Sequence, residues 1–497
     1  MRTGEHAVPI GSAEVAEAEE TAFVATAVRW IVAAVLLLIP IKIVLSGYRP
    51  VFDDPLADAA KAISGRDWND VLVLKEQFRM DPHVGWHAVL QTLAHVAQWS
   101  TSDVVIFAVV ALFALLALSA VPWLERPEAW LATFVVVVGA GTGAMERYML
   151  GRPFLISAAV LTSILWLWNT HGAEPPTKRR IAILTGLFAI AALLHGSWYL
   201  WSLLVLSFVI AGEYQWARTI GATWIAGTII GACLTGQPLG YLVESVRMGF
   251  DAFGQHAYQS TLVHEFRPIA DNMPGLLLVA GLIIFRRLGD FETPPLRKNP
   301  AFWLGCIGLA LGYKAMRFWG DWGLIALMVA IAADIERFMK SRVSIYALTR
   351  VGLAFGLAGT LYLMTTNDAD NRWTSSRETR YLSQDDPQLA GWLPQSGGVL
   401  YTTEMGLFYQ TFYKNPYAPW RYITGFEPAM MPDDDFVTFQ SIGLSHGNPA
   451  AYMPWVKKMR PEDRIAMHWG EQPRIAALEW KNVNGVWLGR PPTHPQP

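Results

Sequence analysis

Residues 178–212 read KRRIAILTGLFAIAALLHGSWYLWSLLVLSFVIAG, and this stretch decides the fold. It is one long apolar run that is interrupted only at His195-Gly196-Ser197. A helix that spans a bilayer needs about 20 mostly apolar residues, so the run predicts either one long helix or two short spans that meet at His195. The choice matters, because one span more or fewer reverses the orientation of everything that follows.

The basic residues decide between these alternatives, because cytoplasmic loops carry an excess of Lys and Arg. With eleven spans and a cytoplasmic N-terminus, the compact basic clusters all fall on the cytoplasmic side: Lys178-Arg179-Arg180, Arg286-Arg287, Arg297-Lys298 and the group Arg337, Lys340 and Arg342. A single long helix would split these clusters across the membrane. The charge pattern therefore predicts two helices, one on each side of His195.

Nine further apolar windows lie along the chain, near 30–47, 104–123, 129–145, 152–168, 217–234, 273–286, 301–316, 319–333 and 345–364. Of the 497 residues, 53% are hydrophobic and 16% are charged, which is more apolar surface than a soluble fold would bury. We predict an α-helical polytopic membrane protein of about eleven transmembrane helices. The net charge of -2, with mixed basic and acidic residues, offers no face for nucleic acid.

The predicted organisation has three parts. A polar cytoplasmic tail covers 1–28, a transmembrane domain covers 29–364, and an extracytoplasmic domain covers 365–497. Two long segments of the transmembrane domain lie on the outer side, a first loop at 48–103 and a second at 235–272 that reads as a partly ordered lid. After 365 the composition turns polar, and short β-like runs at 398–401, 474–480 and 485–488 indicate a small C-terminal α/β domain.

Directly after the first helix the chain carries adjacent carboxylates at Asp53-Asp54-Pro55. Such a pair can act as a general base, bind a divalent cation, or cap a helix. The structural alternative is specific, because Asp54 before Pro55 suits an N-cap with Pro at the first helical position of a helix that runs to about Ile63. Both readings stay open from the sequence.

Further along the first outer loop, Asp81-Pro82-His83 leads into an amphipathic stretch that contains His87. His83 and His87 are four residues apart and would share one face of a helix, which permits metal ligation. The sequence shows no third ligand at a fixed spacing, so a solvated or substrate-facing histidine pair is the alternative that we favour.

Two arginines and a carboxylate occupy the very short link between the third and fourth helices, at Glu146, Arg147 and Arg152. Charges at membrane depth are costly unless they are paired or functional. We expect these side chains to face a cavity. The alternative is an ion pair of Glu146 with Arg147 or Arg152, with the arginines snorkelling to the interface.

The ninth helix is predicted to continue through Tyr313 to Asp321, which places Lys314 and Arg317 on one face near the outer boundary. Two cations there suit a phosphate or pyrophosphate, because Arg offers a bidentate fork and Lys a point charge. The alternative is an ion pair between Arg317 and Asp321 on one helix turn.

These features together resemble the GT-C superfamily of integral membrane glycosyltransferases, which includes protein mannosyltransferases, the lipid A aminoarabinose transferase and the catalytic subunits of oligosaccharyltransferases. In that superfamily a first helix leads into a large extracytoplasmic loop with an acidic motif, and Asp53-Asp54 stands at this place. Glu146 falls where several branches carry a later acidic residue, and Arg317-Phe318 matches a late Arg-Phe that faces the lipid-linked phosphate. The first outer loop has no Asp-x-Asp pair at this motif and no Lys-Pro-Pro run after it, and Asp81-Pro82-His83 is only a loose counterpart of that run.

The resemblance implies transfer of a sugar from a polyprenyl-phosphate carrier to a glycan, lipid or protein acceptor at the outer face of the cytoplasmic (inner) membrane. Asp54, or else Asp53, would be the base, and Arg317, Lys314, Arg147 and Arg152 would hold the donor phosphate. Glu146, Asp81 and His83 would be secondary acidic or substrate-facing residues, and a divalent cation, Mg or Mn, is the one cofactor to consider.

The C-terminal domain offers aromatic side chains as stacking surfaces for the acceptor, although a packed core explains most of them equally well: Tyr401, Tyr409, Tyr413, Trp420 and Phe426.

A transporter or flippase of a lipid-linked or polar substrate is the alternative function. The sequence lacks a matched pair of broken helices in two halves, which transport sites usually have. A protein that only anchors its C-terminal domain would not need eleven spans.

Overall fold

The computed structural model describes residues 10–492, except 51, 77, 79–80, 142, 173, 255–266, 270–272, 290 and 344–345. The chain forms a helical bundle followed by a C-terminal part that contains a sheet. The predicted lid at 235–272 begins with a helix at Pro238–Gly254. Most of its second half lies outside the described residues. The bundle helices are α1 Ile10–Leu45, α2 Asp54–Ser64, α3 Trp68–Val71, α4 Val84–Ala97, α5 Thr101–Leu118, α6 Glu128–Ala140, α7 Gly143–Tyr148, α8 Phe154–His171, α9 Lys178–Leu194, α10 Ser202–Ile210, α11 Tyr214–Leu234, α12 Pro238–Gly254, α13 Met273–Leu288, α14 Pro300–Gly312, α15 Met316–Phe318, α16 Leu324–Arg342 and α17 Ala347–Thr366.

Each of the eleven predicted apolar windows overlaps one of these helices. Six described segments are long and apolar enough to cross a membrane: Ala22–Leu45, Thr101–Trp123, Phe154–His171, Tyr214–Leu234, Met316–Arg342 and Ala347–Thr366. Shorter apolar helices such as α6 and α14 pack among them. The chain is thus a helical, multi-pass membrane protein. Its first helix starts at Ile10, well before the predicted end of a polar tail at residue 28.

The break inside the apolar run 181–212 is present. Helix α9 ends at Leu194 because His195 adopts an extended backbone, and a 3-10 turn at Trp198–Trp201 then leads into α10. His195 is buried, and its Nδ1 lies 2.9 Å from the Ser157 hydroxyl of α8. The polar interruption is therefore held in place by a neighbouring helix.

Charges that the sequence assigns to the cytoplasm gather at the end of the bundle away from the C-terminal part. The last turn of α17 leads into the C-terminal part, so Arg350, in its first turn, lies at the far end of this helix. Nε of Arg350 donates to Glu128 at 3.2 Å. In the second half of α16, Asp334 binds Arg286 and also accepts from Arg337 at 3.0 Å. Pairing offsets the cost of placing these charges in apolar helices.

A π-helical turn at Trp319–Gly323 joins α15 to α16. It packs so closely on α14 that a methyl group at Gly308 would lie 2.4 Å from the Cα atom of Gly323. Single π turns often occur at functional sites. This one contains Asp321, which is buried and takes part in the site described below.

We predict that Gly308→Ala destabilises the protein by about 1–3 kcal/mol, because the added methyl group overpacks a backbone contact that cannot yield. The matched control is Gly356→Ala in α17, where nothing lies within 4 Å of the added atom. There the better helix propensity of Ala should be neutral or stabilise by up to about 1 kcal/mol. Thermal unfolding of the purified protein in detergent measures both variants, and equal stabilities would contradict the packing argument.

The C-terminal part contains a five-stranded mixed sheet in the order β2-β1-β3-β5-β4. Strand β1 is parallel to β2 and β3, and β5 is antiparallel to β3 and β4. The three predicted β-like runs overlap β1, β4 and β5, so the α/β expectation is confirmed. The strands and their helices are β1 Val399–Tyr401, α18 Met405–Lys414, β2 Arg421–Tyr422, α19 Asp433–Leu444, α20 Met453–Lys458, β3 Arg464–His468, β4 Glu479–Val483 and β5 Val486–Arg490.

The 48–103 segment and the C-terminal part share a hydrophobic core. Helix α18 packs against α2, and Phe408 and Phe412 are fully buried in the core that also holds α2. Leu72 forms a β-bridge with Tyr422, whose carbonyl accepts from the amide of Val73 at 2.9 Å. These contacts fix the first loop against the sheet.

Candidate functional site

A cavity of about 990 Å³ lies between the bundle and the C-terminal part. Three segments that the sequence singled out meet at its wall. Asp53 comes from the first outer loop, Glu146, Arg147 and Arg152 come from the link before α8, and Trp319 comes from the stretch 313–321. Tyr409 of α18 lines it from the C-terminal part. The site is thus assembled from residues far apart in the chain.

A smaller cavity of about 170 Å³ shares Arg147 and Arg152 with the larger one, so we treat the two as lobes of one site. Asp54, His83 and Arg317 line this small lobe. Candidate acidic residues and candidate phosphate-binding arginines therefore surround one space.

The N-cap of α2 is Asp53, one residue before the predicted Asp54. An oxygen of Asp53 accepts from the amide of Asp54 at 2.7 Å, and Asp54 and Pro55 then form the first turn. Pro55 is then the second helical residue instead of the first. No helical hydrogen bond is lost, because the amides of the first turn have no partner within the helix and Pro has no amide hydrogen. Capping is thus a property of Asp53, and Asp54 is available for other contacts.

Arg152, just before α8, joins both carboxylates. Its Nε donates to Oδ1 of Asp53 and lies 3.4 Å from Oδ2 of Asp54. The side chains are only partly exposed, at 17% for Arg152 and 27% for Asp54. The arginine cancels part of the repulsion between two adjacent negative charges near the membrane.

Asp54 is also bound from the C-terminal part. The hydroxyl of Tyr409 donates to Oδ1 of Asp54 at 2.6 Å. Burial raises the pKa of Tyr409 well above its usual value, and the negative charge of Asp54 adds to this effect. The phenol therefore stays a proton donor to Asp54.

Arg147 and Arg317 converge on the π turn. Nε of Arg147 donates to Oδ1 of Asp321 at 2.6 Å, and Nε of Arg317 lies 3.9 Å from Oδ2 of the same carboxylate. Gly320 leaves room for Arg147, because a methyl group there would lie 2.9 Å from its Cδ. The proposed Arg317–Asp321 pair exists, but Arg147 is the nearer partner.

Lys314 does not lie on a common helix face with Arg317. Helix α14 ends at Gly312, and a separate turn of helix begins at Met316, so the predicted ninth helix stops early. Lys314 is exposed and is not among the residues that line either lobe.

Glu146 pairs with neither arginine of its own link. Its Oε1 lies 2.9 Å from Nε of Arg372, at the start of the C-terminal part, so a long-range ion pair takes the place of the local pair that was the alternative. Half of the Glu146 side chain remains exposed.

His87 is buried between two carboxylates instead of being solvated. Its Nδ1 lies 2.5 Å from Asp81 and its Nε2 lies 2.8 Å from Asp58, and Lys61 stands 3.6 Å from Asp81. Burial alone would lower the pKa of His87, but Asp81 and Asp58 outweigh it and raise this pKa to about 9. Burial would raise the pKa of Asp81, but His87 and Lys61 hold it well below its usual value.

This network predicts a pH-dependent stability. Because the pKa of His87 is about 9 in the folded protein and about 6.5 when unfolded, its contribution is complete below pH 6.5 and is lost as the pH rises through 9. We expect His87→Gln to cost on the order of 3 kcal/mol at pH 6 and progressively less towards pH 9.5. Thermal unfolding across this range measures the difference, with the exposed His95→Gln as control. A deficit that does not change with pH would contradict the charged state of His87.

His83, the cap residue of α4, lines the small lobe and stacks on His195 with ring centroids 5.6 Å apart. Burial lowers its pKa, which favours the neutral ring. Among the described residues, no group of three or more His, Cys, Asp or Glu side chains is placed to hold a metal ion. The rings of His83 and His87 are neighbours, with centroids 6.2 Å apart, but His83 faces the lobe and His87 lies inside an ion-pair network.

Apolar side chains form the bundle side of the large lobe, among them Val137 of α6, Leu278 of α13 and Trp319 of the π turn. Glu146, Arg147 and Arg152 of the bundle and Asp53 of the first loop line the same lobe. A site with one apolar wall and a cluster of cations suits an amphipathic ligand with an anionic head group.

The sequence interpretation missed Glu404 and His468, which line the large lobe from the C-terminal part. They follow β1 and end β3, and the ends of parallel strands were the signal that could have found them. Of the stacking aromatics that we considered, Tyr401, Tyr413 and Trp420 are buried and line neither lobe, whereas Tyr409 and Phe426 line the cavity.

No family model and no curated protein sequence matches the chain.

Proposed function

We propose that this protein transfers a sugar from a polyprenyl-phosphate carrier to an acceptor on the outer face of the cytoplasmic membrane. The observation that carries the proposal is the convergence of Asp54, Arg152 and Arg317 on one two-lobed cavity that also has an apolar wall. The cavity would receive the lipid carrier along the apolar wall and the reacting groups on the polar side.

The arginines would bind the donor phosphate. Arg147, Arg152 and Arg317 all face the small lobe. A guanidinium has five N–H donors, so each arginine can keep its carboxylate partner and still donate to a phosphate oxygen. As the bond to the sugar breaks, negative charge grows on the phosphate, and donors placed in advance stabilise it.

Asp54 would accept the proton of the acceptor. In the proposed step the acceptor hydroxyl gives its proton to Asp54, and its oxygen attacks the anomeric carbon. The bond between that carbon and the phosphate oxygen breaks, and polyprenyl phosphate leaves with the electron pair. A single displacement of this kind inverts the anomeric carbon. Asp53 is the second candidate base, although its capping bond and its contact with Arg152 already occupy it.

The test uses membranes with and without the protein, supplied with polyprenyl-phosphate-linked hexoses and pentoses. Release of polyprenyl phosphate together with a new glycosidic bond supports the proposal. Movement of the lipid-linked sugar across the membrane without bond formation would instead identify a transporter or flippase. If no donor of this class is consumed and no sugar is transferred, the proposed function is refuted.

A further inference from the structure

Glu404 and His468 form a hydrogen-bonded pair at one edge of the C-terminal sheet. Glu404 follows β1 and precedes α18, and His468 is the last residue of the neighbouring parallel strand β3. In open α/β sheets ligands bind outside the carboxyl ends of the strands. This edge faces the large lobe, because both side chains line it.

The pair holds its imidazole in a fixed orientation. Glu404 accepts from the backbone amide of His468 at 2.7 Å, and its other oxygen binds Nδ1 of the ring. Nε2 is therefore the ring nitrogen left to meet a ligand. The hydrogen bond to Glu404 raises the pKa of His468, and the side chain is 49% exposed. Carboxylate and ring thus offer an acceptor and a donor side by side.

An exposed aromatic ring completes this wall. Phe52 comes from the first loop, is 66% exposed and lines the same lobe. Its ring lies over the backbone at Gly406, where an added methyl group would come within 2.6 Å of Cδ1. A large apolar side chain left exposed beside polar groups is a typical ligand-binding surface.

We propose that Phe52, Glu404 and His468 form a saccharide subsite that binds the acceptor. The inference rests on the proposed function and narrows it to an acceptor that is itself a glycan or carries one. A sugar ring has an apolar C–H face, which suits the ring of Phe52. Its neighbouring hydroxyls both donate and accept, which suits the adjacent Glu404 and His468.

The position of this subsite also fits the proposed position of the donor phosphate. Glu404 and His468 line only the large lobe, Asp54 and Arg317 line only the small lobe, and Arg147 and Arg152 line both. Tyr409, which donates to Asp54, also lines both lobes. An acceptor sugar bound beside Glu404 and His468 would thus extend from the large lobe towards Asp54, and the donor phosphate would lie on the arginines of the small lobe.

The experiment measures sugar binding by the full-length protein in nanodiscs. The probes are methyl glycosides of glucose, galactose, mannose and arabinose, together with lactose, observed by saturation-transfer NMR. We expect saturable binding by the wild type, and at least about fivefold weaker binding by His468→Ala, Glu404→Gln and Phe52→Leu. Phe52→Tyr keeps the aromatic face and should bind normally, and His95→Ala is the exposed histidine control.

The outcomes separate this inference from the proposed function. If donors are consumed but the three variants bind the probes as the wild type does, or no probe binds saturably, the subsite is wrong and the transferase can stand. If the probes bind through Phe52 and His468 but no donor is consumed, the transferase is wrong and the sugar site stands. In the transfer assay the variants should raise the KM for the acceptor and leave the KM for the donor unchanged.

Discussion

Asp54→Asn is expected to reduce sugar transfer by roughly 10²–10⁴-fold, the usual contribution of a positioned general base. An amide cannot take up the proton of the acceptor, yet it keeps the size of the carboxylate and can still accept from Tyr409, which lies 2.6 Å away. Folding and donor binding should therefore change little. Single-turnover transfer and donor binding, measured separately on the purified variant, check both parts of the expectation.

Asp53→Asn is the matched control for this variant. Asp53 caps α2, so its replacement should cost stability, at most about 1–2 kcal/mol because Asn is also a good cap, and should affect transfer less than Asp54→Asn. If Asp53→Asn is the more damaging change for transfer, the role of base passes to Asp53. Normal transfer by both variants would exclude the acidic pair from the chemistry.

Arg152→Ala should have the second large effect, because it removes a cation shared by Asp53 and Asp54. Breaking a buried ion pair from one side typically costs about 3–5 kcal/mol, and exposure of 17% for Arg152 places this case towards the lower value. If the same guanidinium holds the donor phosphate, transfer should also fall by about 10²–10³-fold. Arg152→Lys keeps the charge but loses the bidentate fork, so it should recover stability better than transfer.

A double variant separates the structural role of Arg152 from its catalytic one. Asp53→Asn combined with Arg152→Ala removes one charge of each sign, so it should unfold at a higher temperature than Arg152→Ala alone. Transfer should stay low, because the donor phosphate has still lost its arginine. Recovery of transfer along with stability would reduce Arg152 to a counter-ion of the acidic pair.

The helices were largely predictable because their signal is local. An apolar window of suitable length must lie in the bilayer or in a core, and each of the eleven windows overlaps a helix. The break at His195 was also local, since three polar or small residues interrupt the run. The end of α14 at Gly312 was missed, because the apolar composition continues past it through Phe318 and Trp319.

The partners within the site were not predictable, because they come from distant parts of the chain. Glu146 had two arginines within a few residues, yet it pairs with Arg372. His87 looked like a solvated histidine until α2 brought Asp58 against it. Strand β3 was missed since its sequence, RIAMH, places charged and polar residues at both ends of a buried run. Long-range packing determines these contacts, and the pattern of residues within a short stretch of sequence does not show which distant residues will meet.

The bridge between Leu72 and Tyr422 has a consequence for biosynthesis. The first loop emerges from the ribosome long before β2 and α18 are made. The apolar side chains that pack on them therefore stay exposed while all later helices insert. The cavity can close only after β3 has been made, because Tyr409 and His468 both line it. Chains that stop before β1 should therefore insert into the membrane but leave the first loop exposed to proteases. We expect such chains to be degraded, because only the completed sheet covers the loop.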